Sequence, residues 1–155
     1  MGVFTCEVEH VSPISAAKFY KAVVEDCVTL WPKAMPKIIK SVEFTEGDGG
    51  PGTICKLTLL KGYSTSQIDA INKEKFVLKY NVIEGSTLGK HVEKICNEFK
   101  VVERKDGGCL VKKTMKHYTK DNEIFDEEYL KFNKDKTLFF FKAIEDFLLA
   151  NPDYN

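Results

Sequence analysis

The chain has 155 residues, 43% of them hydrophobic, which is enough for one domain with a sizeable core and too apolar for a disordered segment. Twenty-three basic residues balance twenty-three acidic ones, and Arg104 is the only arginine. Nucleic-acid binders carry a basic excess and favour arginine for bidentate contacts, so nucleic acid is not an expected partner.

Residues 3–11 alternate as a strand, which Ser12-Pro13 breaks. Ser15 is a candidate cap for a short helix over 16–24, and a second short helix is expected at 26–31, stopped by Pro32 and Pro36. Residues 37–46 and 53–60 read as strands joined by Glu46-Gly47-Asp48-Gly49-Gly50-Pro51-Gly52-Thr53. That loop has the glycine spacing of a phosphate cradle, but Thr53-Ile54 stands where Lys-Ser/Thr is required, and Glu46 and Asp48 oppose an anion. A β-branched run follows instead of a helix, so the loop reads as a hairpin that needs glycine for positive φ angles. Further strands are expected at 64–71, 76–84, 91–103 and 108–118, with turns at Asn72-Lys73, Glu84-Gly85-Ser86 and Lys105-Asp106-Gly107-Gly108.

The last element is a long helix from Asp126, its expected N-cap, to Ala150. Leu130, Asn133, Thr137, Phe141, Ile144 and Leu148 recur at three- and four-residue intervals and share a face, with Lys131, Asp135, Lys142 and Asp146 opposite. The C-terminal half of the face is apolar and should lock onto the sheet. The N-terminal half mixes Tyr129, Leu130, Asn133, Lys134 and Thr137, whose polar groups need partners. Either a cavity with water or ligand supplies them, or this half of the helix is partly exposed. Together these elements form a single α+β domain, 1–155, built on a meandering antiparallel sheet.

Five cysteines form no C-x-x-C pair, no apolar leader or membrane-length run is present, and Cys6 breaks the myristoylation pattern. The expectation is a cytoplasmic protein with reduced thiols, the nucleus being a further possible compartment. His10, His91 and His117 fall on separate strands, and no pair of residues has zinc-ligand spacing, so neither a metal nor a cofactor is expected.

Four blocks carry a family resemblance: Met1 to Thr5, Trp31 to Glu43, Glu46 to Thr53, and Asp106-Gly107-Gly108-Cys109, with support from the ending Phe147 to Asn155. The chain resembles, over its whole length, the plant pathogenesis-related class 10 family, which includes the major birch pollen allergen. The resemblance implies a seven-stranded, curved antiparallel sheet gripping a long C-terminal helix, two short helices in a V, and an internal apolar cavity. It further implies a small-molecule partner of hormone or secondary-metabolite type (a cytokinin, flavonoid or sterol-like amphiphile) held by a monomer. The segment Gly62–Asn72 is shorter than the allergen pattern and is similar to a legume nodule-associated, cytokinin-binding branch.

Alternation puts Leu78, Tyr80 and Val82 on one strand face, which by family position is inward. Leu59, Tyr63, Phe99 and Met115 are candidates from other strands, and Tyr129, Asn133, Thr137 and Phe141 from the helix. Gln67 and the Tyr129 hydroxyl are expected to read a purine, with Phe99 and Phe141 packing on an isoprenoid tail. Taken singly, each apolar member is better explained as core packing, and the set gains weight only through the cavity that the resemblance implies.

Family members are often described as ribonucleases. The matching positions are Lys56, Glu98, Glu145 and Phe147, the last standing where a tyrosine is wanted and unable to move a proton. Glu145 is more simply explained as pairing with the glycine-loop amides. Lys134 is the candidate for a condensing enzyme, but a solvated helix lysine is the better account of it. An abscisic-acid-type receptor that inhibits a phosphatase is a third reading, without a gate signature. A carrier of small amphiphiles is therefore expected rather than a catalyst.

Overall fold

The computed structural model describes residues 2–89, 91–120 and 127–155, with Thr87 described by its backbone alone. Seven strands form one antiparallel sheet: β1 (Val3–Ser12), β2 (Ile39–Glu46), β3 (Ile54–Leu59), β4 (Tyr63–Asn72), β5 (Val77–Gly85), β6 (Val92–Glu103) and β7 (Cys109–Thr119). Their spatial order is β1-β7-β6-β5-β4-β3-β2, so β2 to β7 form a meander and β1 closes onto β7. Register shifts at Ile39/Ser41, Phe44/Glu46, Thr65/Ser66, Ile68/Ala70 and Val92/Lys94 bend the strands, because an extra residue on one strand coils it locally. The sheet thereby acquires a concave face.

Between β1 and β2 lie helices α1 (Ala16–Tyr20) and α2 (Cys27–Ala34), joined by a π-helical turn at Lys21–Glu25. Ser15 caps α1, its hydroxyl accepting from the Lys18 amide at 3.3 Å. The expected single helix over 16–24 is therefore a five-residue α-helix that widens into a π turn. Pro32 lies inside α2 instead of ending it: the helix runs on to Ala34, and the Met35 amide bonds Trp31 at 3.0 Å. The missing Pro32 amide removes one bond to the preceding turn, and the short helix tolerates the loss.

The last helix, α3 (Glu127–Ala150), has 24 residues and carries Glu127 and Glu128 at its positive dipole end. The Asp126 cap expected from the sequence lies outside the described residues. Helix α3 packs along β1, and α2 packs on both β2 and α3. Its C-terminal half is anchored by Phe141, Ile144 and Leu148, each at most 1% exposed. Phe141 meets Phe19 of α1 edge-on, with ring centroids 6.4 Å apart, and Phe99 of β6 at 6.1 Å. Tyr20 stacks on Phe99 and donates to the Val77 carbonyl at 2.7 Å, tying α1 to β5. This aromatic plug fills the grip at one end of α3. Tyr154 bonds the Asp26 carboxylate beside the Lys21–Asp26 ion pair of 3.1 Å, fastening the C-terminal residues to the α1–α2 junction.

Candidate functional site

Period-two alternation sends Cys6 and Val8 of β1, Val111, Lys113, Met115 and His117 of β7, and Asn97, Phe99 and Val101 of β6 to the concave face. Leu78, Tyr80 and Val82 of β5 join them through the pairs Leu78–Phe99, Tyr80–Asn97 and Val82–Ile95. Most of these residues are apolar and buried. Three are polar, and they cluster towards the N-terminal half of α3, away from the aromatic plug.

Lys113 is half-buried although its strand neighbours on that face, Val111 and Met115, are 0% and 4% exposed. Its ammonium stands 5.6 Å from the centre of the half-buried Tyr80 ring. A charged group cannot lie in a dry core without a partner, so solvent-accessible space meets the concave face there. Lys136 of α3 is exposed, with its ammonium 5.8 Å from the centre of the exposed Phe132 ring, and burial and then the Lys113 charge lower its pKa from the usual lysine value.

His117 is fully buried, and its pKa is pushed down to about 4, first by burial and then by the Lys113 and Lys136 charges. The ring is therefore neutral at physiological pH. The Tyr129 hydroxyl lies 3.5 Å from His117 Nδ1, with the rings edge to face, and burial raises the tyrosine pKa. Asn97, 6% exposed, has an Oδ1 with no hydrogen-bond partner among the described residues. An orphaned buried acceptor is costly unless something else occupies it.

Ten of the twelve residues expected at the site belong to this interior. Leu78, Val82, Phe99, Met115, Asn133, Thr137 and Phe141 are buried, and Leu59, Tyr80 and Tyr129 are half-buried against the core. Two polar donors of α3 bond its own backbone: Asn133 Nδ2 donates to the Tyr129 carbonyl at 2.8 Å and Thr137 Oγ1 to that of Asn133 at 2.9 Å.

Gln67 and Tyr63 stand apart from the other ten. Gln67 is exposed and lies between the inward-facing Ser66 and Ile68, in register with Asn81 and Ile54 on the convex side. Tyr63 donates to Glu84 Oε1 at 2.8 Å and carries the Lys56 ammonium over its ring at 5.2 Å, also on the convex side. The expected role of Gln67 as purine reader is thus displaced by strand parity. Sequence reading passed over Asn97, Lys113, His117 and Lys136. The signal was available for three of them: Lys113 and His117 flank Met115 at two-residue steps, and Asn97 precedes Phe99 by two.

Two open grooves lie elsewhere, of about 370 Å³ by Ala34, Phe139, Ala143 and Phe147 and about 200 Å³ by Met35, Ile38 and Phe139. None of the twelve expected residues lines either. The glycine loop is a hairpin whose amides are used internally: Gly49 donates to Thr53 Oγ1 at 2.9 Å and Gly52 to the Ile68 carbonyl at 2.8 Å. Glu145 does not pair with that loop. It is 3% exposed and bonds His10 at 3.1 Å and Lys142 at 2.7 Å. Burial works to raise its pKa, but the hydrogen bonds from Lys142, Ser12 and His10 outweigh it and leave the carboxyl below its ordinary value. The ribonuclease set is dispersed: Lys56 lies over Tyr63, Glu98 pairs with Lys79 at 3.8 Å on an exposed face, and Glu145 sits on α3 facing His10 of β1.

Residues 1–151 match the model of the pathogenesis-related protein Bet v 1 family. The chain is 43% identical over 157 residues to the major strawberry allergen Fra a 1-2 of Fragaria ananassa, which spans 99% of this chain and 98% of the allergen. The crystal structure of Ara h 8.0201 is similar with a TM-score of 0.86 and 36% identity, over 97% of this chain and 100% of that one. Norcoclaurine synthase from Thalictrum flavum, in complex with dopamine and hydroxybenzaldehyde, matches with a TM-score of 0.74 and 21% identity over 97% of this chain and 88% of that one. At that identity the likeness speaks for the fold alone. The concave seven-stranded sheet and the long gripped helix are thus a shared architecture, and the chain belongs to the pathogenesis-related protein Bet v 1 family.

Proposed function

We propose that this protein holds a small amphiphilic ligand, a plant hormone or secondary metabolite, between the concave sheet and the N-terminal half of α3, and acts as a carrier rather than a catalyst. The observation that supports this most directly is Lys113, half-buried on the inner face of β7 between two buried apolar neighbours. The apolar wall of Leu78, Val82, Phe99 and Met115 suits a hydrophobic body, and a few placed polar groups would fix its orientation. The trans-zeatin molecule is one such amphiphile; its adenine would meet the Asn97 amide and the Tyr129 hydroxyl rather than Gln67, which faces outward.

The test is calorimetry with trans-zeatin and with the flavonoid quercetin, on the wild type and on Asn97→Leu. Removal of a buried amide whose Oδ1 has no partner among the described residues should raise thermal stability. The same change should weaken the binding of whichever probe contacts it about fivefold, the equivalent of a lost hydrogen bond of about 1 kcal/mol. Absence of heat with both probes, or affinities untouched by Asn97→Leu, would contradict this site.

A further inference from the structure

We propose that the two open grooves flanking Phe139 form one docking face for an acidic segment of a partner protein, which seats an apolar side chain in each groove and sets its carboxylates against the surrounding lysines. The face lies outside α3 and does not depend on what the interior holds.

The floor is apolar and continuous. Ala34 of α2 and Phe139 of α3 line both grooves; Ala143 and Phe147 extend the first, and Met35, Pro36 and Ile38 the second. Phe139 is 53% exposed and Ile38 40%, and Leu60, whose amide donates to the Ile38 carbonyl at 3.0 Å, is 61% exposed. Large apolar side chains gathered at that exposure mark an interaction surface. The grooves are built into fixed parts of the fold. Trp31 of α2 meets Phe140 of α3 edge-on with ring centres 4.8 Å apart, and the Ile38 and Ile39 amides both donate to the Met35 carbonyl, at 3.1 and 2.8 Å. A partner therefore meets ready-made recesses, and little ordering is required on this side.

Charge selects the occupant. The chain holds equal numbers of basic and acidic residues, yet no acid lies between Asp26 and Glu43, a stretch that carries Lys33, Lys37 and Lys40. These lysines are exposed, Lys37 lines the second groove, and the exposed Lys61 follows Leu60. Among the described residues none of the four makes an ion pair. The acid that lines the first groove, Asp146, is engaged by Lys142 at 3.4 Å. An apolar floor with an unneutralised cationic border complements a segment that is both acidic and apolar. A second copy fits poorly, because a twofold contact would set the same lysines against each other. A bilayer is flat on this scale and would leave both recesses unfilled, whereas the side chains of a peptide enter them.

The experiment selects random peptides displayed on phage against the immobilised full chain, then titrates the enriched peptide, labelled with fluorescein, by anisotropy. Enriched sequences should carry net negative charge and at least two large apolar residues. Phe139→Ser should weaken binding about tenfold or more, and so should the triple variant Lys33→Glu, Lys37→Glu, Lys61→Glu, with the melting midpoint of each variant unchanged in circular dichroism. A peptide whose acids are changed to lysines should bind the triple variant and not the wild type, which separates lost charge from lost fold. Selection without enrichment, enriched peptides that lack acids, or affinities indifferent to these substitutions overturns the proposal. Dimerisation in sedimentation velocity that Phe139→Ser abolishes would assign the face to a second copy and overturn it too, as would binding to phosphatidylserine vesicles abolished by the same change.

Discussion

At the scale of single residues, parity along a strand decides what the interior contains. Gln67 has the right chemistry for a purine and the wrong parity; Asn97 has similar chemistry and faces in. His117 makes a pH prediction. Its folded pKa of about 4 lies below the ordinary histidine value, so the unfolded chain binds more protons between those limits. Stability should rise with pH from about 4 to about 6.5, by up to about 1.4 kcal/mol per unit. Denaturant titrations should find that slope, and His117→Gln should flatten it. Gly47 gives a backbone prediction. It holds φ at +86°, and an added Cβ would come within 2.5 Å of Thr53 Oγ1, the hydroxyl that bonds Gly49. Gly47→Ala should cost about 1–2 kcal/mol, visible as a lowered urea midpoint.

At the scale of elements, periodicity alone located all seven strands and the long helix to within a few residues at their ends. Local exceptions escaped it. Pro32 reads as a stop, but α2 passes through it because only Pro32's own amide is lost and two residues remain. The π turn at Lys21–Glu25 has no sequence mark: the run Lys-Ala-Val-Val-Glu holds neither glycine nor proline. Asn133 and Thr137 look from sequence like groups awaiting a partner, yet each bonds its own helix one turn back. The helix is fixed chiefly by its apolar half, so Phe141→Ala should destabilise the fold by about 3–5 kcal/mol in chemical denaturation. On the β1 side Glu145 joins α3 to His10, and Glu145→Ala should cost about 1–3 kcal/mol at neutral pH. Because the Glu145 pKa is lowered in the fold, the deficit should shrink as pH falls through it.

At the scale of the molecule, the grip is filled at one end and polar at the other. Phe19, Tyr20, Phe99 and Phe141 close the C-terminal half of α3, while Lys113, His117, Asn97 and Tyr129 gather towards its start. The resemblance in the sequence pointed to an interior site, and ten of its twelve residues lie inside; its polar members were harder to see because a lysine on a strand is ordinarily read as facing water. The measurement that tests the central claim most directly is an NMR titration with an isotope-filtered search for ligand contacts, using dansylaminoundecanoic acid on the full chain. The account predicts contacts to the Met115, Leu78 and Val82 methyl groups and the Tyr129 ring. Contacts confined to Phe139, Ala143 and Phe147, around the open groove outside α3, would contradict it.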